Sequence, residues 1–81
     1  MLTIEGMDTS RSGAAFDIVL NGEPRQLPAG ATVLDLLADL GRDPRTVAVE
    51  RNGDIVRRPE YGATRLAAGD RLEVVHFVQG G

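Results

Sequence analysis

The sequence predicts an α+β fold, a mixed sheet of four to five strands with one main helix packed on one face. Three observations predict it. Two short stretches of strand-like character flank the pair Asn21-Gly22. A leucine-rich segment with helical spacing follows them, from Val33 to Leu40. The chain from Val47 to Val78 then returns to apolar runs separated by further turn signals.

Each element has its own physical reason. Phe16, Ile18 and Leu20 alternate with Asp17 and Val19, the two-residue period of a strand. Asn21-Gly22 is a strong hairpin signal, because both residue types tolerate the positive φ that a type I′ turn requires. Glu23 to Leu27 returns as the second strand, and Pro24, which has no N–H to give a ladder, marks it as a sheet edge. Pro28-Ala-Gly30 breaks the pattern. Thr32 is placed to cap a helix, with Asp35 three residues on in a capping-box position. Val33, Leu36, Leu37 and Leu40 fall on one helical face with Leu34 beside it, and Asp35 and Asp39 lie opposite. Gly41 is the C-terminal stop. A helix of about two and a half turns is marginal alone in water, so it must dock its leucine face on a sheet.

Val47 to Arg51 is the third strand, Asn52-Gly53-Asp54 a second tight turn, and Ile55-Val56 a brief fourth strand ended by Arg57-Arg58-Pro59. Pro59 to Gly62 reads as an irregular turn, and Ala68-Gly69-Asp70 leads into a final strand, Leu72 to Val78. Hairpin, crossing helix and further strands in this order are the signature of the β-grasp, or ubiquitin-like, arrangement. The handedness of crossovers then puts the last strand parallel to the first, in the centre of the sheet. Leu72 and Val74 pack under the helix, while Val75 and Phe77 face the side it leaves bare and form a candidate partner-docking patch with Val78. His76 shares the parity of Leu72 and Val74 near the strand end. It is expected half covered at the sheet margin, in a structural rather than a catalytic role. Residues 1–13 read as an N-terminal extension, 14–78 as the domain and 79–81 as a flexible tail.

Composition narrows the chemistry. The chain of 81 residues holds one domain. Domains near 60 residues bury only about 60% of their unfolded surface, which leaves little room for an enclosed substrate pocket. Without cysteine there is no disulfide, thiolate zinc site, iron–sulfur cluster or thiol nucleophile. A lone histidine makes no histidine-rich metal site. Asp35, Asp39 and Asp43, four residues apart, read as a solvated face rather than metal ligands. A net charge of −3 disfavours nucleic acid or an anionic membrane as the main partner. No long apolar stretch or signal-peptide pattern occurs, so a cytoplasmic location is expected. All nine basic residues are arginine, so the chain offers no lysine for an isopeptide bond to itself. Arg57-Arg58 is too short for a nucleic-acid patch but can meet an acidic partner surface.

What remains is the tail. Gln79-Gly80-Gly81 follows directly on the final strand, and the Gly81 carboxylate would sit on a thin, side-chain-poor stalk. An α-carboxyl group, with a pKa of about 3.3–3.7, is an anion at neutral pH and a very poor electrophile. It reacts only after activation, usually as a mixed anhydride with AMP made by another enzyme. No Walker-type loop is present, so ATP is expected to be consumed by that partner, with no cofactor bound here.

With hairpin, helix and tail placed, the chain resembles the ThiS family of sulfur carriers in the ubiquitin-like superfamily. The resemblance rests on Leu20-Asn-Gly-Glu23, Thr32-Val-x-x-Leu-Leu37, the run Val47 to Val56 and the run Gly69 to Gly81. The chain departs from the family at Arg57, where members often carry proline. The resemblance implies that a ThiF-type adenylyltransferase converts Gly81 to an acyl-adenylate. A persulfide sulfur from a donor such as a cysteine desulfurase then displaces AMP, directly or through an enzyme-bound intermediate. The resulting Gly81 thiocarboxylate delivers sulfur to thiazole synthase in thiamine biosynthesis. On this reading the chain is a carrier, not an enzyme. Three alternatives share the fold: the small subunit of molybdopterin synthase or another sulfur carrier, a ubiquitin-like modifier joined to target lysines, and an interaction module with an inert tail.

Overall fold

The structure, a computed structural model, describes residues 15–77. The expected extension, residues 1–13, lies outside the described residues, as do Ala14 and Val78 of the expected domain and Gln79, Gly80 and Gly81 of the expected tail. Strand β1 (Phe16–Leu20) turns at Asn21 (φ 50°) and Gly22 (φ 85°) into β2 (Glu23–Leu27), so both turn residues take the positive φ of a type I′ hairpin. Helix α1 (Val33–Leu40) crosses the sheet. Strands β3 (Val47–Arg51) and β4 (Asp54–Val56) form a second hairpin through Asn52 (φ 53°) and Gly53 (φ 90°), and β5 (Arg71–His76) closes the fold. The sheet order is β2-β1-β5-β3-β4, with β5 parallel to β1 and antiparallel to β3. The α+β architecture of five mixed strands and one helix is the expected one, with β5 inside the sheet and Pro24 on an edge strand.

The helix is held where its sequence requires. Thr32 accepts from the Asp35 N–H at 3.1 Å and Asp35 accepts from the Thr32 N–H at 2.9 Å, a complete capping box. The Val33 and Leu34 N–H groups, which no helix can satisfy internally, donate to the Thr64 and Tyr61 carbonyls, both at 3.0 Å. Gly41 ends α1 at φ 71°. Val33, Leu36 and Leu37 are fully buried against Ile18, Val49 and Leu72 of the sheet. Leu34, beside that face, stays 43% exposed.

Residues 57–67 hold more structure than an irregular turn. A 3-10 turn at Arg58–Glu60 delivers Tyr61 into the core, where its hydroxyl donates to the Val47 carbonyl at 3.3 Å, and Leu66 is buried beside it. This segment has no period because it folds over the N-terminal end of α1 instead of joining the sheet, so periodicity alone could not show its core residues. Its backbone is tied to the helix entry at Ala31, whose carbonyl accepts from the Leu66 N–H at 2.9 Å.

Both Asn-Gly turns carry a second function. The Asn21 N–H donates to the Leu72 carbonyl at 2.8 Å. Its side chain then accepts from the Val74 N–H at 2.8 Å and donates to the Val74 carbonyl at 3.2 Å. The side-chain amide thus extends the β1–β5 pairing by one residue after the main chain of β1 has turned away. Asn52 grips the other end of β5 through the Arg71 backbone, accepting its N–H at 2.9 Å. Asp70, only 7% exposed, accepts from Arg51 Nε (2.9 Å), Asn52 Nδ2 (3.1 Å) and the Ala67 N–H (2.8 Å). Burial pushes its carboxyl pKa up, and these donors outweigh burial and hold it below the usual carboxylate range.

Candidate functional site

β5 is the element that leads to the tail, so the surroundings of its last residues define the site. It ends at His76, short of the expected Val78, and the Phe77 N–H donates to the Thr46 carbonyl at 2.8 Å in the 3-10 turn Pro44–Thr46. One side of the exit is therefore pinned by Thr46 and the other, three residues earlier, by Asn21. His76 is exposed rather than half covered. The reason is topological: β1 stops at Leu20, level with Leu72, and leaves bare the flank of β5 beside His76. Its cross-strand neighbour Val47 is buried because Tyr61 covers that side.

Val75 and Phe77 project from the face opposite α1, at 58% and 47% exposure. Ile55 on β4 joins them at 65%, and Ala48 lies between, directly opposite Val75. Ile55 and Ala48 were not among the residues expected to dock a partner. Strand parity could have found them, since Ile55 must point away from its buried neighbour Val56. Arg57 and Arg58 are exposed where the chain leaves β4. In register, Val56 sits opposite Val49, which in turn faces Val74, so the arginine pair lies at the tail end of the sheet. Arg45 hydrogen-bonds Asp43 and holds its carboxyl below the usual range, and the Arg58 charge adds to the effect.

The three aspartates spaced along and after the helix go to separate partners. Asp35 caps α1, Asp39 pairs with Arg25 of β2, and Asp43 pairs with Arg45. Among the described residues no three acidic, histidine or cysteine side chains converge on a common point. No helix among them is long and apolar enough to cross a membrane. The arrangement is a firmly held strand end, an exposed apolar face beside it and two arginines at the same end. Those features can bind and present a terminus. Val78, Gln79, Gly80 and Gly81, which carry the expected chemistry, lie beyond the described residues.

Comparison with known proteins gives a consistent result. The family model of the ThiS family matches residues 18–81. A thiazole synthase of Magnetococcus marinus is 53% identical over 64 residues, which are 79% of this chain and 20% of that protein. The chain thus spans about one-fifth of that relative's length. The sulfur carrier protein ThiS of Thermus thermophilus is 40% identical over 62 residues, covering 76% of this chain and 95% of its own. The crystal structure of a thiamine biosynthesis protein (ThiS) from Geobacter metallireducens superposes with a TM-score of 0.69 at 30% identity, over 82% of this chain and all of that one. With the β-grasp architecture in place and a match that runs from the first strand through Gly81, the chain belongs to the ThiS family.

Proposed function

We propose that this protein is the sulfur carrier for thiazole formation in thiamine biosynthesis, with Gly81 as the residue that carries the sulfur. The observation that carries the reading is the family match, continuous from β1 through Gly80-Gly81. The carrier contributes a rigid handle and a reactive end, and partner enzymes contribute the catalysis. A ThiF-type adenylyltransferase joins the Gly81 carboxylate to AMP and releases pyrophosphate from ATP. A persulfide sulfur supplied through a cysteine desulfurase attacks the acyl carbon and AMP leaves. A second thiol then cleaves the resulting acyl persulfide, leaving the Gly81 thiocarboxylate and a disulfide. Thiazole synthase takes this sulfur. The carrier needs no cofactor of its own, and the cytoplasm, where ATP and cysteine are available, is the compartment that suits it. Val75, Phe77 and Val78 meet the partners, with Arg57 and Arg58 beside them and Gln79 and Gly80 as the stalk.

Intact-mass measurement tests the reading. The full chain is incubated with ATP, the adenylyltransferase and the sulfur donor of the same genome. A carrier gains one sulfur in place of one oxygen, at Gly81. A high-mass conjugate would instead identify a modifier, and an unchanged mass, or full activity after deletion of Gly81, would identify an inert tail. Delivery to a molybdopterin synthase large subunit instead of thiazole synthase would reassign the pathway.

A further inference from the structure

On the face opposite α1, Glu50 of β3 stands directly across from Glu73 of β5, and on its other side directly across from Ile55 of β4. Directly opposed side chains in an antiparallel pair have Cβ atoms about 5 Å apart, and like charges in that position destabilise a sheet. The ion pairs among the described residues, Arg25–Asp39, Arg45–Asp43 and Arg51–Asp70, leave both glutamates out. Two carboxylates are therefore held side by side in the middle of the sheet with no cation of the described chain on them. They also line one shallow groove, together with Ala48, Ile55 and Val75. Ile55 and Val75 are two of the most exposed large apolar residues of the domain. Exposed Phe77 lies two residues beyond Val75 along the chain.

We propose that this groove receives an arginine side chain of a protein partner that takes up the tail, with its guanidinium between Glu50 and Glu73 and its stem along Ile55 and Val75. The proposal rests on the carrier reading and adds to it the chemistry of the contact. A guanidinium is planar and presents several N–H donors in a fixed fork, so one group can bond two neighbouring carboxylates. Its apolar stem lies favourably on aliphatic side chains. One cation removes the repulsion between the glutamates, so the charge arrangement that costs the free domain stability becomes favourable in the complex. Side chains two residues apart on one strand lie about 6.6 Å apart. An arginine seated at Glu73 thus places adjacent partner groups over Val75 and Phe77, and the acidic pair fixes register while the apolar residues supply area.

The test is an equilibrium titration of the full chain against the thiazole synthase and the adenylyltransferase of the same genome, at low and moderate salt. The variant carries E50Q and E73Q together, which removes both charges at nearly constant shape. The expected result is an affinity loss of about tenfold or more for at least one partner, and a flatter dependence on salt, because a charge-assisted contact is gone. The melting temperature of the variant should equal or exceed that of the wild type, since the like-charge pair is gone. Unchanged affinity and salt dependence with both partners overturns the proposal, as does a wild-type chain that binds neither. The carrier reading is judged separately by sulfur loading at Gly81. Loading lost on deletion of Gly81, with E50Q/E73Q affinities unchanged, would leave the carrier standing and remove only the arginine contact.

Discussion

Replacing Asn21 by glycine separates the two jobs of this residue, because glycine keeps the turn and deletes the grip on β5. Asn21 has φ 50°, which glycine adopts without strain, so the type I′ hairpin survives. Two hydrogen bonds to Val74, at 2.8 and 3.2 Å, disappear. A typical intramolecular hydrogen bond contributes about 0.5–1.5 kcal/mol net. Both groups of Val74 can find water after the change, so the lower half of that range applies and the pair is worth about 1–2 kcal/mol. Glycine also loses more backbone entropy on folding, which its ease at positive φ roughly offsets. In a domain of this size about 1 kcal/mol moves the melting temperature by about 4–8 °C, so a fall of roughly 5–15 °C is expected. The local signature is more specific than the melt. Amide exchange at Val74 should speed up more than exchange at Val49, which lies on the far side of β5 and keeps its ladder. Asn21→Asp, which retains the acceptor and sets a carboxylate against the Val74 carbonyl, should do no better than glycine. An Asn21→Gly protein with wild-type melting temperature and unaltered protection at Val74 would refute the reasoning.

Three more outcomes follow from the packing and the charges. Leu36→Ala removes a fully buried side chain between α1 and the sheet and should cost about 2–5 kcal/mol by chemical denaturation. A loss under about 1 kcal/mol would mean that the helix is not docked as described. The folded Asp70 carboxyl has its pKa below the unfolded value of about 3.9, so its stabilisation is present above that pH and is lost as pH falls through the folded pKa. Asp70→Asn should accordingly be less stable than wild type at neutral pH, and the gap should narrow under acid. A gap that stays constant from pH 7 to pH 2 counts against the assignment. Val75→Ser with Phe77→Ser should leave the melting temperature within a few degrees of wild type, as surface changes usually do, and should weaken binding to the partner enzymes. Equal binding would exclude the open face as the docking surface.

The regular elements were legible because each rests on a local rule. Strand alternation, two Asn-Gly pairs, a capping box and a glycine stop need no distant residue to act, and β1, β2, α1 and β3 fall where those rules place them. What escaped was non-local. Tyr61 and Leu66 belong to the core only because residues 57–67 fold over the entry of α1. The side chains of Asn21 and Asn52 reach β5 only because the crossover brings it between the two hairpins. His76 was misjudged because its parity is right while its flank is bare, and the end of β1 that leaves it bare is set by a turn 55 residues away in sequence. Glu50 and Glu73 are unremarkable in sequence and become neighbours through strand register alone. The tail is the opposite case. Gly80-Gly81 is conspicuous in sequence and lies outside the described residues, so its meaning rests on the family match and on chemistry.

Under the proposed function, the short link between the pinned strand and Gly81 would require docking and chemistry to share one end of the domain. Four residues follow Phe77, and four residues span at most about 14 Å when fully extended. A partner that acts on Gly81 must therefore place its reactive centre within that distance of Phe77, which Thr46 anchors. The face beside Phe77 is the one that α1 leaves open, and it carries Ile55 and Val75 in continuous reach. The helix is kept to the other face by Leu36 and Leu37, so the packing that stabilises the domain also leaves this surface free for a partner. Contacts on the open face would hold the tail near the partner's active site at high effective concentration, and each additional residue in the link would dilute that advantage. A carrier that serves an activating enzyme and an acceptor in turn would use this same surface twice. Under the proposed function the two partners would compete for it, and release from the first would have to precede sulfur transfer to the second.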